Sequence, residues 1–233
     1  MKVLNILAFV SLAFILSCDE EDIPDFGQGL SDAEIVQGLK QALELGTDNA
    51  STNLNQIDGY FADPSVFISY PAEIQGVVNT LEDFGFGSIV TEFERKLNRA
   101  AEDAAGEAAP IFVNSIKSMS IGDAKNILFG DSLAATQYFV NTTQDSLFNR
   151  FEPKIENSLN SVGAADAWET LTSTYNNIPF IEKEPINTDL ASYTTDKALD
   201  GLFLKVGNEE KKIRKDPAAR VTDILRKVFS EQD

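Results

Sequence analysis

Apolar residues return every three or four positions along most of this chain, and sustained strict alternation is absent. That period collects them on one face of a helix, whereas a half-buried strand would alternate. Ser31-Asp32-Ala33-Glu34 has the form of a capping box, with serine at the cap and glutamate three residues on. Ile35, Leu39, Ala42 and Leu43 follow on one face, and Gly46 is placed to end that helix. From Asp58 to Pro71 the period fails. This stretch is aromatic and loop-like, with a short extended piece predicted at Val66 to Ile68. Pro71 suits the first position of the next helix, whose apolar face is Ile74, Val77, Val78 and Leu81 and whose end is marked by Gly85 and Gly87.

A long helix is predicted from about Ser88, with Ile89, Phe93, Leu97, Ala100 and Ala101 on one stripe. The small residues from Ala100 to Ala109 let a partner helix come close, and Pro110 kinks or ends the helix. Ser120 to Asp123 is a second cap-like start, and Gly130-Asp131 turns the chain into another long helix. There Val140, Leu147, Phe148, Phe151, Ile155, Leu159 and Val162 keep the helical period past Pro153, where a kink is expected. A further helix surrounds Trp168 and Leu171 and stops at Asn176-Asn177-Ile178-Pro179, with Pro185 in a polar loop beyond. Thr194 or Thr195 is placed to cap a helix that ends near Gly207, and Asp216-Pro217 to cap the last one. That last helix shows Val221, Ile224, Leu225, Val228 and Phe229 on one face. The pattern predicts an all-α fold, an irregular multi-helix bundle with at most a minor β element.

The first residues follow a different rule. Met1-Lys2 leads into an apolar run from Val3 to Leu16, then Ser17 and Cys18, the one cysteine of the chain. The run falls short of the about 20 residues that span a bilayer. A basic start, a short apolar core and a small residue before cysteine form a bacterial lipoprotein signal. Residues 1–17 are read as the signal peptide and Cys18 as the lipidation site. Acyl chains there would anchor the protein to a membrane, several chains holding it where one would be marginal. Residues 18–29, with Asp19-Glu20-Glu21-Asp22, form an acidic flexible tether, and residues 30–233 a single helical domain. The expected location is the bacterial cell envelope. An aspartate directly after the cysteine fits the enterobacterial rule for inner-membrane retention. An acidic stretch behind the cysteine also resembles a surface-export signal of other Gram-negative bacteria, so the choice of membrane stays open.

Composition narrows the chemistry. The formal net charge is −18, from 37 acidic and 19 basic residues, which argues against nucleic acid as a partner. There is no histidine, so Ser-His-Asp, Cys-His and zinc-hydrolase arrangements are excluded. With Cys18 lipidated, no thiol remains for disulfides or nucleophilic work. No cofactor motif is found, neither a Gly-rich phosphate loop nor a calcium loop.

Four segments resemble a bacterial family, domain of unknown function 4197. They are Leu97-Asn98-Arg99-Ala100-Ala101-Glu102, Ala134-Ala135-Thr136-Gln137-Tyr138-Phe139, Thr195-Asp196-Lys197-Ala198-Leu199-Asp200-Gly201-Leu202-Phe203, and Lys212-Ile213-Arg214-Lys215-Asp216-Pro217-Ala218-Ala219-Arg220. The resemblance runs from about Gly29 to Phe229. It supports the fold class and carries no established activity with it.

Three groups of residues are candidates for a site. Asn98, Arg99 and Glu102, with Asp123, Thr136, Gln137 and Tyr138, form a polar set beside a small-residue helix. Such a set suits a ligand or a hydrated calcium or magnesium ion near Glu102 and Asp123, and equally a network of inter-helix hydrogen bonds. Lys197, Asp200, Arg214, Asp216 and Arg220 could do acid-base work, or could be a cap and its ion pairs. Tyr60, Phe61, Phe67, Tyr70, Phe84 and Phe86 could line a groove or fill the core. The leading expectation is a lipid-anchored envelope protein that binds a protein or small-molecule partner without catalysis. The alternatives are a carboxylate-based enzyme, with or without a calcium or magnesium ion, and a structural envelope component.

Overall fold

The computed structural model describes residues 31–177 and 189–230. The signal segment, the tether with Cys18, Ile178-Pro179 and Pro185 lie outside the described residues. Among those described, the chain forms nine α-helices and no strand: α1 (Asp32–Leu54), α2 (Gln75–Asp83), α3 (Gly87–Ala105), α4 (Ala108–Ser118), α5 (Ile121–Leu128), α6 (Ala134–Ser161), α7 (Ala164–Asn177), α8 (Leu190–Lys215) and α9 (Asp223–Ser230). Two 3₁₀ turns, Ala72–Ile74 and Pro217–Ala219, lead into α2 and follow α8. The all-α bundle is the architecture that the hydrophobic period predicts.

The capping boxes form as read. Ser31 Oγ accepts the Glu34 amide at 3.3 Å while Glu34 accepts the Ser31 amide at 3.0 Å. Ser120 and Asp123 repeat the exchange at the start of α5. Several stop signals serve packing instead. α1 runs through Gly46 to Leu54, with Gly46 buried against Glu209 and Ile213 of α8. α8 starts from an Asp189 cap, whose carboxylate accepts the Ser192 amide at 3.0 Å, and runs past Gly207 to Lys215. Thr194 and Thr195, expected as caps, are fully buried inside this helix. A Cβ at Gly207 would stand 2.9 Å from Leu133, and one at Gly201 would stand 2.9 Å from the Tyr60 ring. Both glycines let a neighbour approach the α8 backbone more closely than any side chain would allow.

Prolines mark starts more than stops. Pro71 caps the 3₁₀ turn into α2 rather than opening a helix as its first residue. Pro110 lies in the first turn of α4, where a missing amide hydrogen leaves no helical bond unmade; the chain breaks earlier, at Gly106-Glu107. α6 stays one helix through Pro153. Asp216 accepts the Ala218 amide at 2.9 Å and Pro217 opens the short 3₁₀ turn; α9 is a separate helix after it. Val221, expected on the apolar face of the last helix, precedes α9 and is 61% exposed.

α6 packs between α3 and α8, and α1 lies against α8, α4 and α9. The aromatic centre pairs Phe112 with Phe139 at 5.0 Å and Phe93 with Trp168 at 5.2 Å. No helix among the described residues is long and apolar enough to cross a membrane.

Candidate functional site

The first candidate set does not converge on one point. Asn98, Arg99 and Glu102 act together, on the face of α3 that meets the loop of residues 55–71. Asn98 Oδ1 accepts the Ile68 amide at 2.9 Å and its Nδ2 donates to the Ile68 carbonyl at 2.7 Å. A side-chain amide thus does for Ile68 what a neighbouring strand would do. The extended piece expected at Val66 to Ile68 forms no strand, and the Val66 and Phe67 amides turn back to the Asp63 carbonyl at 3.1 and 2.9 Å. Glu102 is buried. Its Oε1 accepts the amides of Tyr60 and Phe61 at 3.2 and 3.1 Å, and its Oε2 accepts Arg99 at 2.6 Å. Arg99 also reaches Asp58 at 2.6 Å and lies over the Phe61 ring at 5.5 Å. Asp58 has φ 71°, in the left-handed region that aspartate tolerates better than most residues.

Further bonds fasten the same loop. The buried Tyr60 hydroxyl donates to the Ala198 carbonyl at 2.8 Å, and burial, with Glu102 nearby, pushes its ionisation far up. Tyr193 donates to the carbonyls of Ser69 and Tyr70 at 3.0 and 3.2 Å. Lys205 of α8 pairs with Asp63 and donates to Ser65 Oγ at 3.1 Å. Ser65 donates in turn to Asp63 at 2.6 Å. This serine and lysine have the contact of a nucleophile and base, but the lysine's hydrogens point at the hydroxyl and at Asp63. The Asp63 carboxyl, lowered to about 2 by Lys205 and then Ser65, is a weak base for a hydroxyl.

Thr136 belongs to a second place. Its amide and hydroxyl both donate to Glu210 Oε2 at 2.8 Å, and the Ala135 amide donates to Oε1 at 2.9 Å. Glu210, from α8, therefore caps α6, whose own cap position is Leu133 and offers no side-chain acceptor. Arg214 completes the arrangement. It meets Glu210 at 2.9 Å and donates to the last carbonyls of α5, Ile127 at 2.6 Å and Leu128 at 3.1 Å. Gln137 is exposed and bonds Asn141; Tyr138 donates to the Ser115 carbonyl at 3.3 Å. Asp123 stays at the exposed start of α5, held below its ordinary range by the Ser120 hydroxyl and amide. Among the described residues no group of three or more acidic side chains is placed to hold a metal ion.

The other sets also disperse. Lys197 and Asp200 pair at 3.4 Å on the surface. Arg220 is buried, donates to the carbonyls of Ile213 and Arg214 at 3.1 and 2.8 Å, and lies over Phe229. Tyr60 is core, Phe61 and Phe67 pair in the loop at 5.8 Å, and Phe84 and Phe86 stand exposed on the α2–α3 turn. Sequence reasoning missed Glu210, Lys205 and Asp63. For Glu210 no local signal existed: Asp131 and Ser132 stand before the helix like ordinary caps, but Asp131 accepts the Leu133 amide at 2.8 Å and leaves the first amides of α6 to Glu210.

The pinned loop forms one wall of a cleft of about 570 Å³ between the C-terminal part of α1 and the middle of α8. Its lining mixes the polar side chains of Asn53, Gln56, Asp63, Lys205 and Asn208 with Leu54 and Ile57. A smaller cavity, about 20 Å³ and bounded by α1, α6, α8 and α9 beside Glu210, has room for about one water.

Comparison with curated proteins and with solved structures returns no match. A family model described as protein of unknown function (DUF4197) matches residues 29–230, almost the whole chain beyond the N-terminal segment. The chain belongs to the DUF4197 family of proteins of unknown function.

Proposed function

We propose that this is a lipid-anchored protein of the bacterial cell envelope that works as a binding or interaction module and does not catalyse a reaction. The observation that carries the binding reading is the fastening of the loop of residues 55–71. Glu102 holds two of its amides, Asn98 holds both polar groups of Ile68, and Lys205 ties it to α8. The polar residues that looked available for chemistry thus act as fasteners, and they fix the wall of an open cleft before any ligand arrives. Such preorganisation favours binding by lowering the entropy lost on association. The anchor rests on the sequence around Cys18 and the acidic run behind it.

Two measurements test this reading. Metabolic labelling with an alkynyl palmitate should mark the wild type and not a Cys18→Ala variant; equal labelling of both would remove the anchor. A photo-crosslinking side chain at Ile57, which is 80% exposed on the cleft rim, should give a defined adduct in intact cells. The same probe at exposed Phe129, outside the cleft lining, should not. Equal adducts from both positions, or none from Ile57, would contradict a binding role for the cleft.

A further inference from the structure

We propose that the cleft between α1 and α8 takes an uncharged saccharide of one or two rings. This rests on the reading of the domain as a binding module and adds the chemistry of the ligand. The size fits: about 570 Å³ lies within the roughly 300–1,000 Å³ of small-molecule sites. The charge state of the lining narrows the class. Each cleft carboxylate is already matched inside the chain. Asp58 is bound by Arg99 at 2.6 Å, Asp63 by Lys205, and Glu209 by Asn49 at 3.2 Å and Lys212 at 3.6 Å. A cationic ligand would have to displace these partners. An anionic ligand meets one lysine, itself held by Asp63, on a chain of net charge −18.

Neutral amides remain to face the ligand. Asn53, Gln56 and Asn208 line the cleft and are exposed. Each offers a donor and an acceptor side by side. That pairing matches adjacent hydroxyls of a sugar ring, which also donate and accept. The apolar face of such a ring needs a hydrocarbon surface, and Ile57 supplies one at the rim. An extended peptide fits less well. Its main chain binds best along an open strand edge, and the cleft walls are helices and a loop, with no strand among the described residues.

The test uses ¹⁵N-labelled full-length protein in a detergent without a sugar headgroup, read through the side-chain amide signals of Asn53, Gln56 and Asn208. The probes are N,N′-diacetylchitobiose, cellobiose, spermidine and an end-blocked triglycine. Saturable shifts of these three amides with at least one disaccharide are expected. An Asn208→Ala variant, altered only at an exposed position, should bind that disaccharide roughly tenfold more weakly, the loss expected for one or two hydrogen bonds. Shifts with spermidine alone or triglycine alone would overturn the saccharide inference and leave the binding reading standing. An Asn208→Ala variant that binds as well as wild type would place the sugar elsewhere and also overturn it. Silence with every probe would overturn the saccharide inference, while the binding reading falls only if the Ile57 crosslinker also gives no adduct.

Discussion

Glu210 and Arg214, one turn apart on α8 and 2.9 Å from each other, close the ends of two other helices. Glu210 receives the first amides of α6 and Arg214 donates to the last carbonyls of α5, so one buried ion pair serves both helix ends that meet at Gly130. Each charge faces the end of the helix dipole that it stabilises. Both side chains are less than a tenth exposed, where an ion pair is held by its extra hydrogen bonds more than by its own attraction.

The first prediction follows from that burial. Glu210→Ala removes the cap of α6 and the carboxylate facing the Arg214 guanidinium together. The expected loss is about 3–5 kcal/mol of unfolding free energy, measured by urea denaturation. Adding Arg214→Ala should cost much less than the sum of the two single changes. A Glu210→Ala loss below about 1 kcal/mol would show that water or another side chain caps α6.

The second prediction separates two residues that the hydrophobic period placed on one face. Leu225 is 1% exposed in α9, where it is part of the buried core, and Val221 is 61% exposed ahead of the helix. Leu225→Asp should cost at least about 3 kcal/mol, since it buries a charge in an apolar site. Val221→Asp should stay within about 0.5 kcal/mol. Equal effects in thermal or urea melts would mean that α9 docks in another register.

The third prediction concerns acid. Asp63 is held at about 2 against an ordinary 3.8, first by Lys205 and then by Ser65. A carboxyl depressed in the folded state gives stability that is complete above its ordinary value and is lost as pH falls towards the folded one. Asp63→Asn should therefore lower the urea midpoint near neutrality, and the gap to wild type should close between about pH 4 and pH 2. A gap that stays constant across that range would assign the effect to packing alone. The pair is partly exposed, so the difference should also shrink with added salt.

The helices and their caps were legible because they are local. A capping box needs four consecutive residues, and a helical stripe needs only its own period. Gly46 and Gly207 were misread for the same reason: they answer to Glu209 and Leu133, which are distant in sequence and leave no local trace. The candidate site was half legible. Asn98, Arg99 and Glu102 share one face of α3 by spacing alone, and they do act together. Asp123 and Thr136 were drawn to them by composition, and only the packing of α5, α6 and α8 shows that each has other work. Lys205 and Asp63 lie 142 residues apart, beyond any spacing argument.

The central claim is that the loop of residues 55–71 is a prefastened wall rather than a mobile strap. Backbone hydrogen exchange at Tyr60, Phe61 and Ile68 reads this most directly, because their amides donate to Glu102 and Asn98 and to no helix of their own. In wild type these amides should be strongly protected. In Glu102→Ala, Tyr60 and Phe61 should exchange at least about tenfold faster while the core amides of α6 keep their rates, the mark of a local opening. Tyr60 and Phe61 exchanging in wild type as fast as an unfolded segment, or unchanged by Glu102→Ala, would contradict the account.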